Sequence, residues 1–444
     1  MSQQSLKSKR EYLEQLLQEL DGLREKGDKK AICTALTDLG LAHFNVRNYV
    51  KGTEAFEEAV QIARELKDLD LQVHSLGMHT LAFQTISRLP DAFNKADEIR
   101  ELGIEHNRPE IICDAVTNQG QILLESGDQL RSLEKLEEAR GIAYELGDKR
   151  RQMNVIGAYG QHSLTVPDLG QAEVYFDKAL ALAQELGDEQ AENGYLGNRG
   201  MIYEWRGEFG KAAPIFEKVL GFVQEDGDEK AEIQAMRHLT KVYNKLENNE
   251  KVLEYALPGL ELAKEGDVES AFILIEALIM TYYRMGELEK AQASTEEAIE
   301  MARSSNDRRR EIRFLISLGE AFLAADDLEK ALTTYEKALA GAKHINQDND
   351  VAYLTGRIGF TLAELGKLDD AIPFHEEAID MAQDGRMPSL EGQQLSMLSM
   401  AYLEKSDKEK ALDYASKAVD VYKSAKLFEE FETAQALVAE INAA

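Results

Sequence analysis

The feature that most limits what this chain can become is a period. Small or apolar residues recur at Gly52, Ala92, Ser132, Ala172, Ala212, Val252, Ala291, Ala331, Ala371 and Ala411, with every step 40 residues except one of 39. Four residues after each lies Phe56, Ala96, Leu136, Phe176, Phe216, Ala256, Thr295, Tyr335, His375 or Ala415. Seven after lies Ala59, Ile99, Ala139, Ala179, Val219, Gly259, Ala298, Ala338, Ala378 or Ala418. Offsets of 0, 4 and 7 make one apolar stripe on an α-helix. A repeat of this length is one supersecondary unit that buries its stripe only by stacking on copies of itself.

A second column precedes each anchor by twelve residues: Gly40, Thr80, Gly120, Gly160, Gly200, Thr240, Ile279, Gly319, Gly359 and Ser399. Three residues further on come rings, among them Phe83, Tyr203, Tyr243, Tyr282, Phe322 and Tyr402. Glycine within a helix costs about 1 kcal/mol relative to alanine, so its recurrence predicts a gain from close approach of two helix backbones. Leu146-Gly147-Asp148, Leu186-Gly187-Asp188, Asp226-Gly227-Asp228 and Gly266-Asp267 end one unit and open the next. Glycine there suits a left-handed helix end and aspartate a helix cap. Gly127-Asp128, Gly207-Glu208 and Gly286-Glu287 are expected to do the same inside a unit. Pro214, Pro258 and Pro373 fall within second helices and predict a late start or a bend there.

These columns resemble the tetratricopeptide repeat, with Leu-Gly-x-x-Tyr in its first helix and Ala-x-x-x-Phe in its second. Leu318-Gly319-x-x-Phe322 with Ala331-x-x-x-Tyr335 carries the pattern, as does Gly200-x-x-Tyr203 with Ala212-x-x-x-Phe216. The resemblance covers residues 28 to 425, and the unit length is similar to the elongated repeats of Pins/LGN adaptors, kinesin light chain and bacterial peptide sensors. The expected fold is all-α, an α-solenoid of ten helix hairpins over residues 28–426, with a capping helix at 1–27 and another at 427–444. The first cap presents Leu13, Leu16, Leu17, Leu20 and Leu23, and the second Phe431, Ala434, Leu437, Val438 and Ile441, each opposite a charged face. Such ends predict a complete array with no appended catalytic or DNA-binding domain.

Composition narrows the partners. A formal charge of -30 opposes phosphate backbones and anionic lipid, so nucleic acid is not an expected partner. Neither the N-terminus nor the run from Ala271 to Met280 makes a secretory signal or a membrane span, which predicts a cytoplasmic protein without direct membrane insertion. Cys33 and Cys113 lie two whole repeats apart and are expected to be small, buried and unbridged. No two of the eight histidines stand four apart, so neither a metal nor another cofactor is expected. Gly194-x-x-Gly197-x-x-Gly200 has phosphate-loop spacing, but it lies inside a helix and reads as close packing. Glu57-Glu58, Glu137-Glu138, Glu296-Glu297 and Glu376-Glu377 recur at equivalent places, as a solvated face does and a catalytic pair does not. The chain therefore reads as a non-enzyme.

The resemblance implies that first helices line the concave side of a right-handed superhelix, where ligands lie. In the Pins/LGN and kinesin light chain types, an asparagine two residues before the small first-helix residue contacts ligand. Here Asn118 and Asn198 match, with His238 in the same column. The column just after the small residue brings Gln121, Gln161, Met201 and Lys241, while Asn154, Trp205, Arg237, Asn244 and Lys245 are expected on the same side or its rim. Amides, the one tryptophan and several cations thus gather between about residues 110 and 250. They predict a groove for a protein or peptide, an acidic or amphipathic segment whose backbone pairs with amides. The expected function is a scaffold or adaptor, and the alternative is an intracellular peptide-sensing regulator. Oligomeric state is not readable.

Overall fold

The computed structural model describes residues 3–165, 169–264 and 266–443, except for the side chains of 3–11 and 45. Those residues form twenty-two α-helices and no strand. Helix α1 (Gln3–Lys26) is followed by hairpins α2 (Lys29–Asn45) with α3 (Tyr49–Leu66), α4 (Leu69–Thr85) with α5 (Leu89–Glu105), and α6 (Pro109–Glu125) with α7 (Gln129–Leu146). Next come α8 (Lys149–Thr165) with α9 (Leu169–Leu186), α10 (Glu189–Trp205) with α11 (Phe209–Asp226), and α12 (Glu229–Lys245) with α13 (Asn249–Ala263). The remainder are α14 (Val268–Met285) with α15 (Leu288–Ser304), α16 (Arg308–Ala324) with α17 (Leu328–His344), α18 (Asp348–Glu364) with α19 (Leu368–Asp384), α20 (Pro388–Glu404) with α21 (Lys408–Ala425), and α22 (Phe428–Ala443). The chain divides into two compact bodies, Met1–Leu274 and Ile275–Ala444. Each helix from α1 to α13 and from α15 to α22 packs on its sequence neighbour, and first helices also touch one another, as α6 touches α8 and α18 touches α20. This is an all-α solenoid.

The anchor column is buried in every unit, and nearly all of the two columns behind it are too. Val219 is only half-buried, and Leu220 and Ala213 take up the interior of α11 instead. The glycines behave differently from expectation. What presses on them is chiefly a side chain from the second helix, not another backbone: a Cβ placed on Gly160 would meet the Phe176 ring at 2.6 Å, and one on Gly319 the Tyr335 ring at 2.5 Å. Gly40 seats Phe56, Gly120 seats Leu136, Gly200 seats Phe216 and Gly359 seats His375. Backbone approach is a secondary feature, as between Gly52 and the Gly40 carbonyl at 3.0 Å. Where the first helix carries Thr80, Thr240, Ile279 or Ser399, the matching second-helix residue shrinks to Ala96, Ala256, Thr295 or Ala415. Bulk moves from one helix to the other while the space between them stays filled, as close-packed interiors require.

The ring three residues past the glycine column covers the turn. A lysine at the start of the second helix lies over it: Lys211 over Tyr203 at 5.4 Å, Lys330 over Phe322 at 5.4 Å and Lys410 over Tyr402 at 4.7 Å. Gly147, Gly187 and Gly227 are left-handed as expected, and so are Gly127, Gly207 and Gly286. Asp188 and Asp228 accept the backbone N–H of Ala191 and Ala231, each at 3.0 Å. Helix α13 is 15 residues long and stops on Lys264 in the right-handed region, which accounts for the single 39-residue step. Glu208 and Glu287 precede helices without capping them through their side chains. The three prolines lie inside continuous helices α11, α13 and α19, on exposed faces, and none of these helices starts late.

Leu16 and Leu20 of α1 are buried, whereas Leu17 is 41% exposed and leaves the expected stripe. Cys33 and Cys113 are free, buried and equivalent: each thiol donates to a second-helix carbonyl, Ala59 at 3.2 Å and Ala139 at 3.5 Å. Burial pushes the Cys113 thiol up to about 11, so it is not a nucleophile at neutral pH.

Candidate partner-binding face

The residues marked by the repeat columns lie on α6, α8, α10 and α12, and two of them, Met201 and His238, also touch the second helix α11. Exposure follows position. Asn154 is exposed, and Asn118, Asn198 and Gln121 are partly buried. Gln121 Nε2 donates to Gln161 Oε1 at 3.3 Å, so side chains one repeat apart reach each other across this face. Met201 packs against the cluster around Phe216 and Leu239, and Trp205 ends α10 with 47% of its surface exposed.

Glycines on α10 divide into two kinds. Gly200 is filled by Phe216, but a Cβ on Gly194 or Gly197 would meet nothing within 4 Å. The close packing expected for the whole run therefore holds only for Gly200. The other two leave a strip of uncovered helix backbone beside Asn198, at a conformational cost of about 1 kcal/mol each.

Glu204, which the sequence columns did not single out, organises the basic end of the face. Its side chain is 1% exposed, with His238 Nδ1 at 2.7 Å from Oε2 and Lys241 Nζ at 2.5 Å from Oε1. Burial would raise this carboxyl, yet hydrogen bonds and charge from His238 and Lys241 outweigh it and hold the group below the ordinary glutamate value. The His238 ring stacks on Phe216 at 4.7 Å, with planes 10° apart. Carboxylate and ring stack together lock the imidazole in place. A signal for Glu204 existed, because the same position in other units is mostly apolar, with Phe44, Leu124, Leu164, Leu323 and Leu403, and no other unit has a charge there, Gln84 and Asn244 being its neutral polar members. An acid in such a column needs a partner.

Arg237 is half-buried; its Nε is shut off from solvent and makes no hydrogen bond among the described residues. Asn244 lies partly buried on the same helix, and Lys245 is exposed. The structure thus joins Gln121 to Gln161, and His238 and Lys241 to each other through Glu204, while Asn118, Asn154, Asn198 and Trp205 stand separately along the face. Past their first turns, α8, α10 and α12 carry no carboxylate except Glu204. Grooves of about 860 Å³ beside Glu217, Met236 and Tyr255, and of about 740 Å³ beside Arg64, Asp97 and His106, include none of these residues.

Among the described residues no group of three or more His, Cys, Asp or Glu could hold a metal ion. No helix among them is long and apolar enough to cross a membrane.

Hairpins that repeat every 40 residues with these columns define a helical-repeat interaction fold. Residues 269–344 and 350–424 match the family described as tetratricopeptide repeat, about a third of the chain. Residues 3–84 also match the family described as anaphase-promoting complex subunit 5. No curated protein matches the chain. Among solved structures it is similar to the apo form of RapI, at 11% identity and a TM-score of 0.50, over 75% of this chain and 98% of that one. It is similar to the apo quorum sensor NprR from B. thuringiensis, at 14% identity and a TM-score of 0.46, over 78% and 98%. It is also similar to a signal transduction ATPase with numerous domains from Pyrococcus horikoshii that has a tetratricopeptide repeat sensor, at 19% identity and a TM-score of 0.43. In that case 90% of this chain is covered but only 55% of the other. At such identities the likeness speaks for the fold alone.

Proposed function

We propose that the chain is a non-catalytic scaffold that holds a segment of a partner protein along the first-helix face of α6 to α12. The observation that carries this reading is electrostatic. In a chain of net charge -30, α8, α10 and α12 present amides and cations with no exposed carboxylate past their first turns. Such a face favours an acidic or amphipathic segment. Asn118, Asn154 and Asn198 offer paired donors and acceptors to an extended backbone. Arg237 and Lys245 would take its carboxylates, and Trp205 an apolar side chain. Gly194 and Gly197 permit the ligand's main chain to come closer than any side chain would allow.

Two variants test this, by affinity capture from the source cell with quantitative mass spectrometry and by circular dichroism on the same proteins. Replacing Asn118, Asn198 and Arg237 with alanine together is expected to remove a defined set of captured proteins without loss of helix. Gly197→Ala is expected to stabilise α10 by up to about 1 kcal/mol while weakening capture of that same set. Capture unchanged by both variants would overturn the reading.

A further inference from the structure

The groove between α20 and α22, far along the chain from the face just described, has the opposite character. It encloses about 430 Å³ over Met397, Met400, Ala436 and Leu437, with Glu430 and Glu440 among its walls. Met400 is 46% exposed; Leu81 and Met280 in the same repeat column are exposed too, but here the side chain lies over a groove together with Met397 and Leu437. Neither α20 nor α22 contains a single lysine, arginine or histidine, whereas together they carry Glu391, Glu404, Glu429, Glu430, Glu432 and Glu440. Glu391 accepts a hydrogen bond from Gln383 at 2.8 Å. The other five form no ion pair among the described residues, in a protein where most first helices are tied to a neighbour by one. An apolar floor with an uncompensated acidic rim is therefore built into both walls.

We infer that this groove docks a short amphipathic helix of a partner protein, with its apolar face on the methionines and a lysine or arginine near each end. Glu430 and Glu440 are ten residues apart on one helix, or about 15 Å at 1.5 Å per residue. A helix laid alongside α22 matches both carboxylates when its own cations are separated by a similar length. Methionine adapts its shape to whatever apolar side chain arrives, so the floor selects for hydrophobicity and the rim for charge. The proposal does not depend on the amide-rich face of α6 to α12, since it concerns other helices and a ligand of opposite sign.

The test is fluorescence anisotropy on the full chain with a labelled stapled helix of about twelve residues. Its apolar face is leucine and its ends are lysine, and a counterpart has glutamate at the ends. The lysine-ended helix is expected to bind at least about tenfold tighter, the sum of two favourable and two avoided unfavourable charge contacts. Met400→Ser with Leu437→Ser should weaken it by about tenfold or more through lost apolar contact. Glu430→Lys with Glu440→Lys should reverse the preference, and neither position is buried, so the helical signal should be unchanged. Asn198→Ala should have no effect. Equal binding of the two helices, or a preference that survives the charge reversal, would overturn the proposal. So would a dimer in sedimentation that Met400→Ser dissolves, since the groove would then serve a second copy of the chain.

Discussion

Hairpins α8/α9 and α4/α5 occupy the same place in the period and fill it in opposite ways. In the first, Gly160 leaves a hollow that Phe176 enters completely. In the second, Thr80 supplies the bulk, Ala96 withdraws, and the ring comes from the first helix, where His79 lies between Phe56 at 5.3 Å and Phe83 at 4.3 Å. What the repeat preserves is filled volume between two helices, not a residue type at one position. The contrast also has a chemical side. Phe176 has no proton to gain, while His79 is an ionisable ring 1% exposed, and neither of its nitrogens makes a hydrogen bond among the described residues.

The largest effect expected from this contrast is in α8/α9. Phe176→Ala should cost about 3–5 kcal/mol, read from urea unfolding and from hydrogen exchange in residues 149–186. Gly160→Thr alone should cost about 1–3 kcal/mol by overpacking. Combined with Phe176→Ala, it rebuilds the α4/α5 solution, and a coupling energy of about 0.5–3 kcal/mol in favour of the pair is expected. Strict additivity would break the idea that the two sites exchange volume.

The next effect sharpens the chemical side. Burial lowers His79 from 6.5 to about 4, so between those values the unfolded chain holds a proton that the folded one refuses. Stability is thus complete above about pH 6.5 and declines as pH falls towards 4, by about 3 kcal/mol in all. His79→Phe keeps the ring stack and removes the proton. The difference in unfolding free energy between wild type and variant, followed from pH 7 to 4, should change by that amount. A constant difference would show that His79 is not held neutral.

The smallest effect belongs to the turn of α4/α5, where Arg88 lies over Phe83 at 4.8 Å. Arg88→Ala should cost about 0.5–1 kcal/mol, seen as a small shift of the urea midpoint. The same loss from Lys410→Ala, over Tyr402, would mark the cation as a general device of the repeat.

Much of this fold was readable because helix periodicity is local: offsets of 4 and 7 expose a buried stripe, and a gain of 40 residues exposes its copies. The caps were readable too, since Asp188 and Gly187 act within a few residues of themselves. The candidate face was only partly readable. Asn118, Asn198 and Gly200 follow from columns, but only packing shows that Gly200 is filled by Phe216 while Gly194 and Gly197 are left open. Glu204 left a trace in its own column, but its partners did not, as they stand 34 and 37 residues away on another helix.

By itself, then, the order of residues determined that this chain is helical, how often it turns, and which stripe each helix buries. Tertiary structure decided which stripe residue meets which: that Phe176 falls on Gly160, that Glu204 joins His238 to Lys241, and that α20 and α22 leave Met400 uncovered. The reason is geometric. A helix's own repeat is set by backbone bonds four residues apart, whereas a contact between helices depends on their relative rotation and crossing, which no single segment carries.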